Sequence, residues 1–187
     1  MQKLVNHIQS TLSGCIITAS DLEEFFILKP VMKGAVLLPI GSVCKHYYFV
    51  NQGILRIFYF DENGDEHTSW VAFEGYFFTE TESFTRQTPS KYGIIATENT
   101  EILQIKKTDL DKLLHTQPWF SKYMIINQQE TILNLIKTIE LFQNQSVKDR
   151  YQALFEHPEF IKKVKQKDLA SMLGMSKFSI SRVKRGR

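Results

Sequence analysis

Between residues 31 and 106 seven short runs rich in β-branched and aromatic residues follow one another, at 35–39, 47–51, 54–60, 67–73, 76–78, 92–96 and 102–106. Turn residues separate them: Gly41, Asn51-Gln52-Gly53, Asn63-Gly64 and Glu74-Gly75. A strand and a turn about every 8–12 residues closes into a sandwich or small barrel, because no single short strand buries a face alone. Asp61-Glu62-Asn63-Gly64-Asp65, flanked by strand residues, is the strongest hairpin signal in the chain. Tyr47, Tyr48, Phe49, Phe58, Tyr59, Phe60, Tyr76, Phe77 and Phe78 fall on expected strands and read as core. Residues 79–91 interrupt the pattern with a polar loop containing Pro89. It is longer than a hairpin needs, and such loops often carry function.

Helical patterns flank this block. Leu4, Val5, Ile8 and Leu12 share one face over residues 1–13. Ser20-Asp21-Leu22-Glu23 has capping-box spacing, which predicts a helix to about Leu28, ended by Lys29-Pro30. Thr108-Asp109-Leu110-Asp111 predicts a second capped helix to about His115, and Pro118 suits the start of the next. That helix runs over residues 119–144. Ile125, Ile132 and Ile139 repeat every seven residues, with Leu135 and Phe142 three beyond the last two. This is an a/d seam with Gln128 as its polar exception, and it predicts a dimer helix. Ser146-Val147-Lys148-Asp149 opens a further capped helix to about Glu156, before His157-Pro158.

The last stretch reads as two short helices around a tight turn. Leu169, Ala170 and Leu173 recur at helical spacing, as do Ile180 and Val183. Gly174 falls where the first helix must stop, and Ser176 offers an N-cap to the second. Residues 161–187 hold nine Lys or Arg and one acid, a net of +8, whereas the remainder carries 14 basic and 19 acidic residues, a net of −5. A merely solvated face would mix its signs, whereas phosphates reward clustered cations. The pattern predicts a DNA-binding helix-turn-helix. Lys177, Phe178, Ser179, Ser181 and Arg182 would face the bases; Lys165, Lys167, Ser176, Lys184, Arg185 and Arg187 would hold the backbone.

With 187 residues and 43% hydrophobic content the chain suits one large or two small domains with a normal core. The two cysteines, Cys15 and Cys44, fit no metal or redox spacing. No two of the histidines at 7, 46, 67, 115 and 157 lie within five residues, so no linear zinc motif is present. His46 and His67 could meet only through the fold. There is no Gly-x-Ser-x-Gly, Walker loop or dinucleotide fingerprint. No apolar run reaches a membrane span, and the first residues lack a signal peptide's apolar core. A cytoplasmic protein without cofactor, metal or catalytic residues is expected.

The order of parts, with Gly53-Ile54-Leu55-Arg56, Asn63-Gly64-Asp65-Glu66, Asp149-Arg150-Tyr151, Leu169 to Ser176 and Ser179-Ile180-Ser181-Arg182, resembles the superfamily of the cyclic-AMP receptor protein and the fumarate–nitrate regulator (Crp/Fnr). The resemblance covers essentially the whole chain. It implies a cupin-like sensor roll, a homodimer through the long helix, and transcriptional control.

Departures from that pattern concern the effector. Cyclic-AMP-binding members place a Gly-Glu pair at the ribose and an Arg before Ser or Thr at the phosphate. The corresponding stretches here are Phe78-Thr79-Glu80-Thr81-Glu82-Ser83-Phe84, without glycine, and Pro89-Ser90-Lys91-Tyr92, without arginine. Arg holds phosphate through a bidentate fork that Lys does not reproduce, and Glu80 and Glu82 would repel it. Glu80, Glu82, Ser83, Ser90 and Lys91 remain candidates for a changed effector pocket. The cysteine cluster of iron–sulfur members is absent, and Lys177-Phe178 stands where the cyclic-AMP branch often has Arg-Glu.

The expected architecture is α+β. A cupin-like β-roll with N-terminal helices spans 1–116, a dimerisation helix 117–145, and a helix-turn-helix domain 146–187. The interface would use Ile125, Ile132, Leu135, Ile139 and Phe142. The expected partners are double-stranded DNA with a palindromic operator, a second copy of the chain, RNA polymerase and an unknown small-molecule effector, with no membrane. Two alternatives remain: a ligand-independent regulator whose roll binds protein, and a cupin-type metal enzyme.

Overall fold

A computed structural model describes residues 1–153 and 158–175 of the chain. Helices α1 (Gln2–Thr11) and α2 (Ser20–Glu23) precede eight strands: β1 (Ile27–Val31), β2 (Val36–Leu38), β3 (His46–Gln52), β4 (Leu55–Phe60), β5 (Glu66–Ala72), β6 (Phe77–Phe78), β7 (Gly93–Ala96) and β8 (Thr100–Lys106). Helix α3 (Thr81–Arg86) lies between β6 and β7. Helices α4 (Lys107–Thr116), α5 (Pro118–Asn144), α6 (Val147–Ala153), α7 (Pro158–Lys163) and α8 (Gln166–Met172) follow. The strands form two four-stranded sheets, ordered β1-β8-β3-β6 and β2-β7-β4-β5.

Three expectations are corrected. The helix expected from Ser20 to Leu28 is four residues long, and Ile27–Val31 is a strand paired with β8 from Ile27↔Gln104 to Val31↔Thr100. Lys29-Pro30 is therefore not a helix stop. β1 is an edge strand, where a proline that cannot donate is tolerated. The cap also lies upstream: the Thr18 amide and hydroxyl both donate to Asp21 Oδ2 at 2.8 Å. Residues 79–91 contain α3, with Glu80 as its N-cap. Helix α4 begins at Lys107 and takes no side-chain cap from Thr108.

Two compact units divide the chain, residues 1–59 with 71–128, and residues 60–70 with 129–187. In the first, α1 and the start of α5 pack on the sheet that contains β3. Phe77 is the hub: Phe26, Phe49, Phe120 and Tyr123 lie 6.0–6.5 Å from its ring centroid, and Tyr47 stacks on it at 4.6 Å. Such aromatic pairs add to the burial of their large apolar areas. His7 on α1 closes the cluster, its Nδ1 3.0 Å from the Tyr123 hydroxyl.

The second unit joins the β4–β5 hairpin tip to the terminal helices. Asp61 shapes the tip by accepting the amides of Asn63 and Asp65 at 2.9 Å, while Gly64 takes the left-handed conformation at φ +82. Thr68 anchors α8: its hydroxyl donates to buried Asp168 at 2.7 Å and its amide to Ser171 Oγ at 2.8 Å. Trp70 meets Phe160 of α7 edge-on at 6.0 Å.

Candidate functional site

The five residues expected around an effector are mostly structural. Glu80 accepts the amides of Glu82 and Ser83 at 3.1 Å, so its carboxylate is spent on starting α3. Ser83 is buried; its hydroxyl accepts from the Cys44 amide at 2.8 Å and donates to the Thr88 carbonyl. Ser90 is buried and closes a local turn with Tyr92 through two 2.9 Å bonds. Glu82 pairs with Arg86 one turn along the exposed face of α3, and Lys91 is exposed. The loop is stitched to residues 41–44: Gly41 donates to the Ser90 carbonyl, Ser90 to the Ser42 carbonyl, and Val43 bridges Pro89.

No sequence pattern pointed to the open cleft beside that turn. It holds about 450 Å³ between β2, the turn and the start of β3. Leu37, Leu38, Val43 and Tyr48 form its apolar wall, with Lys45 and His46 at its edge. None of these six residues lies in the 79–91 loop. Burial, with the nearby Lys29, Lys106 and Lys45, holds the His46 imidazole below its ordinary value. Burial pushes the Tyr48 phenol up.

On α5 the expected seam residues are exposed on the single chain: Ile125, Ile132 and Leu135 at 56% and Ile139 at 54%. Leu133 and Ile136 widen the stripe. Phe142 differs from them: it is half-buried, with the Arg150 guanidinium 5.0 Å above its ring.

Helix α8 carries the first half of the basic module. Leu169, Ala170 and Leu173 are buried, and Gly174 ends the helix in the left-handed conformation at φ +62. Lys165 is exposed at the N-cap, and Lys167 faces Glu66 at 3.5 Å. Ser176, Lys177, Phe178, Ser179, Ser181, Arg182, Lys184, Arg185 and Arg187 lie outside the described residues. Among the described residues no three His, Cys, Asp or Glu side chains converge as metal ligands; His67 pairs with Asp61 at 2.9 Å. No helix among them is long and apolar enough to cross a membrane.

Residues 28–117 match the family model of the cyclic nucleotide-binding domain. No curated protein matches this chain. Among solved structures it is similar to the c-di-GMP-responsive global regulator CLP of Xanthomonas campestris, with a TM-score of 0.69, 16% identity, and coverage of 90% of this chain and 91% of that one. FixK2 of Bradyrhizobium japonicum matches with a TM-score of 0.68 at 14% identity, over 86% of this chain and 83% of that one. A regulator assigned to the Crp/Fnr family from Eubacterium rectale matches with a TM-score of 0.67 at 18% identity, over 91% and 83%. This chain therefore carries a cyclic nucleotide-binding domain over residues 28–117, in the fold of the Crp/Fnr regulators.

Proposed function

We propose that the chain is a homodimeric transcription regulator that binds a palindromic operator through residues 146–187 and responds to a small molecule other than cyclic AMP. The observation that carries this reading is α8 stopping at Gly174 directly ahead of a segment dense in Lys and Arg. A packed first helix, a left-handed glycine and a cationic second segment are the parts a major-groove reader needs. The exposed Ile125/Ile132/Leu135/Ile139 stripe supports a second copy along α5, because a monomer rarely leaves so much aliphatic surface in water. Dimerisation would double the basic module into a two-fold reader. The effector reading rests on Glu80, Ser83 and Ser90, whose polar atoms are used to hold the 79–91 loop. The one arginine in that loop, Arg86, faces Glu82.

Selection of genomic fragments by the purified full chain, with and without cyclic AMP, tests both parts. A palindrome enriched equally in the two conditions is expected. Fragments without any common sequence would overturn the regulator reading, and enrichment only with cyclic AMP would overturn the effector reading.

A further inference from the structure

Tyr48 is 2% exposed and its ring lines the cleft beside β2. Its hydroxyl bonds to no group among the described residues, whereas the Tyr123 hydroxyl has His7 at 3.0 Å. The Tyr48 ring is buried but its hydroxyl is not sealed from solvent, so beside the cleft it is free to bond a ligand. The His46 imidazole, 6.1 Å from the Tyr48 ring, likewise has no hydrogen-bond partner among the described residues. Lys106 is the cross-strand partner of His46, Lys45 edges the cleft, and Lys29 acts on the same imidazole. None of these three lysines is in an ion pair among the described residues. Uncompensated positive charge thus surrounds an unpartnered hydroxyl and imidazole, above an apolar wall of Leu37, Leu38 and Val43.

We propose that this cleft binds a small organic anion, with its charged head at Tyr48, His46 and Lys45 and its apolar body on Leu37, Leu38 and Val43. Its volume is in the range of small-molecule sites. The chemistry fits either a carboxylate or a phosphate ester on an aliphatic or aromatic body. Ser42 and Val43 line the cleft and also hold the 79–91 loop, through the Ser90 amide and the bridge to Pro89, so a bound anion would be felt there. That this anion is the regulator's effector rests on the function proposed above; that the cleft binds it does not.

The test is titration of the full chain with octanoate, octyl phosphate and octanol, followed by the His46 ring proton resonance. Octanoate or octyl phosphate should shift that resonance in a saturable way, and the tighter of the two identifies the head group. Octanol should bind at least about tenfold more weakly, the loss of one charged hydrogen bond. Tyr48→Phe should weaken the anion by about tenfold while leaving thermal unfolding unchanged, because no protein partner is lost. Lys45→Gln gives a second variant on the rim, and it should weaken the anions and leave octanol unaffected. Equal binding of octanol and the anions, or no His46 shift at millimolar ligand, would overturn the proposal. Absence of operator binding in a separate experiment would overturn the regulator reading and leave the cleft result standing.

Discussion

At the residue scale, the loop that resembles an effector loop is held by buried serines. Ser83 is 1% exposed and satisfies two backbone groups, the Cys44 amide and the Thr88 carbonyl. Ser83→Ala would strand both, and unsatisfied buried polar groups cost about 1–3 kcal/mol each. Thermal denaturation should show Ser83→Ala destabilised, whereas Glu82→Gln, which removes only an exposed pair, should melt within about 0.5 kcal/mol of the parent. Equal melting of all three proteins would show that this bond does not hold the loop. His7 is the second sensitive residue. Burial against Phe49 and Tyr123 holds its imidazole below the ordinary value. The unfolded chain therefore takes up the proton first, so stability is full above about pH 6.5 and falls as pH drops toward the folded value. His46 shifts in the same direction and adds to the slope. Unfolding midpoints measured from about pH 7.5 to about pH 5.5 should fall, and His7→Gln should fall less steeply. A parent slope unchanged by His7→Gln would assign the pH dependence elsewhere.

Elements were legible wherever one face is buried and the period is clear. The strands around β3, β4, β5 and β8 lie within a few residues of their expected places because aliphatic and aromatic residues mark them. α5 starts at Pro118 and ends at Asn144, as the seam and the proline implied. β1 was hidden because Ile27 and Leu28 continue a helical run and Pro30 reads as a stop, when only pairing with β8 decides their state. α3 was hidden because its only apolar anchor is Phe84 in a polar stretch. The cleft was illegible for a different reason. Tyr48 and His46 alternate like any strand residues, and only the fold sets them beside Leu37 and the lysines. The α5 stripe gives the prediction at this scale. Ile132→Asp with Ile139→Asp places two charges on a face now exposed at 56% and 54% on the single chain. A face free in solution would tolerate both. A face buried in a dimer would not, because each unpaired buried carboxylate costs several kcal/mol. Sedimentation should therefore show the double variant as a folded monomer beside a dimeric parent. An unchanged dimer would place the interface elsewhere.

At the scale of the whole molecule, charge is divided as function would divide it. Residues 161–187 carry a net +8 and the remainder a net −5, so the body tends to repel a polyanion that the terminal segment attracts. Within that segment, phosphate contacts would set position and base contacts would set sequence. Arg182 follows Ser176 by six residues, on the stretch expected to enter the groove, whereas Lys165 is exposed at the start of α8. Arg182→Ala should relax preference at one base pair, a guanine, by about 1–3 kcal/mol, and weaken specific binding more than non-specific binding. Lys165→Ala should weaken all sequences alike and lower the salt slope by about one ion. Lys167 already faces Glu66, so Lys167→Ala should change the slope less than Lys165→Ala. Two half-sites with centres about one helical turn, roughly 34 Å, apart should be required by the dimer. Competition binding on an operator with single-base changes, at several salt concentrations, measures each of these. Equal loss of affinity on operator and random DNA for Arg182→Ala would move that arginine from the bases to the backbone.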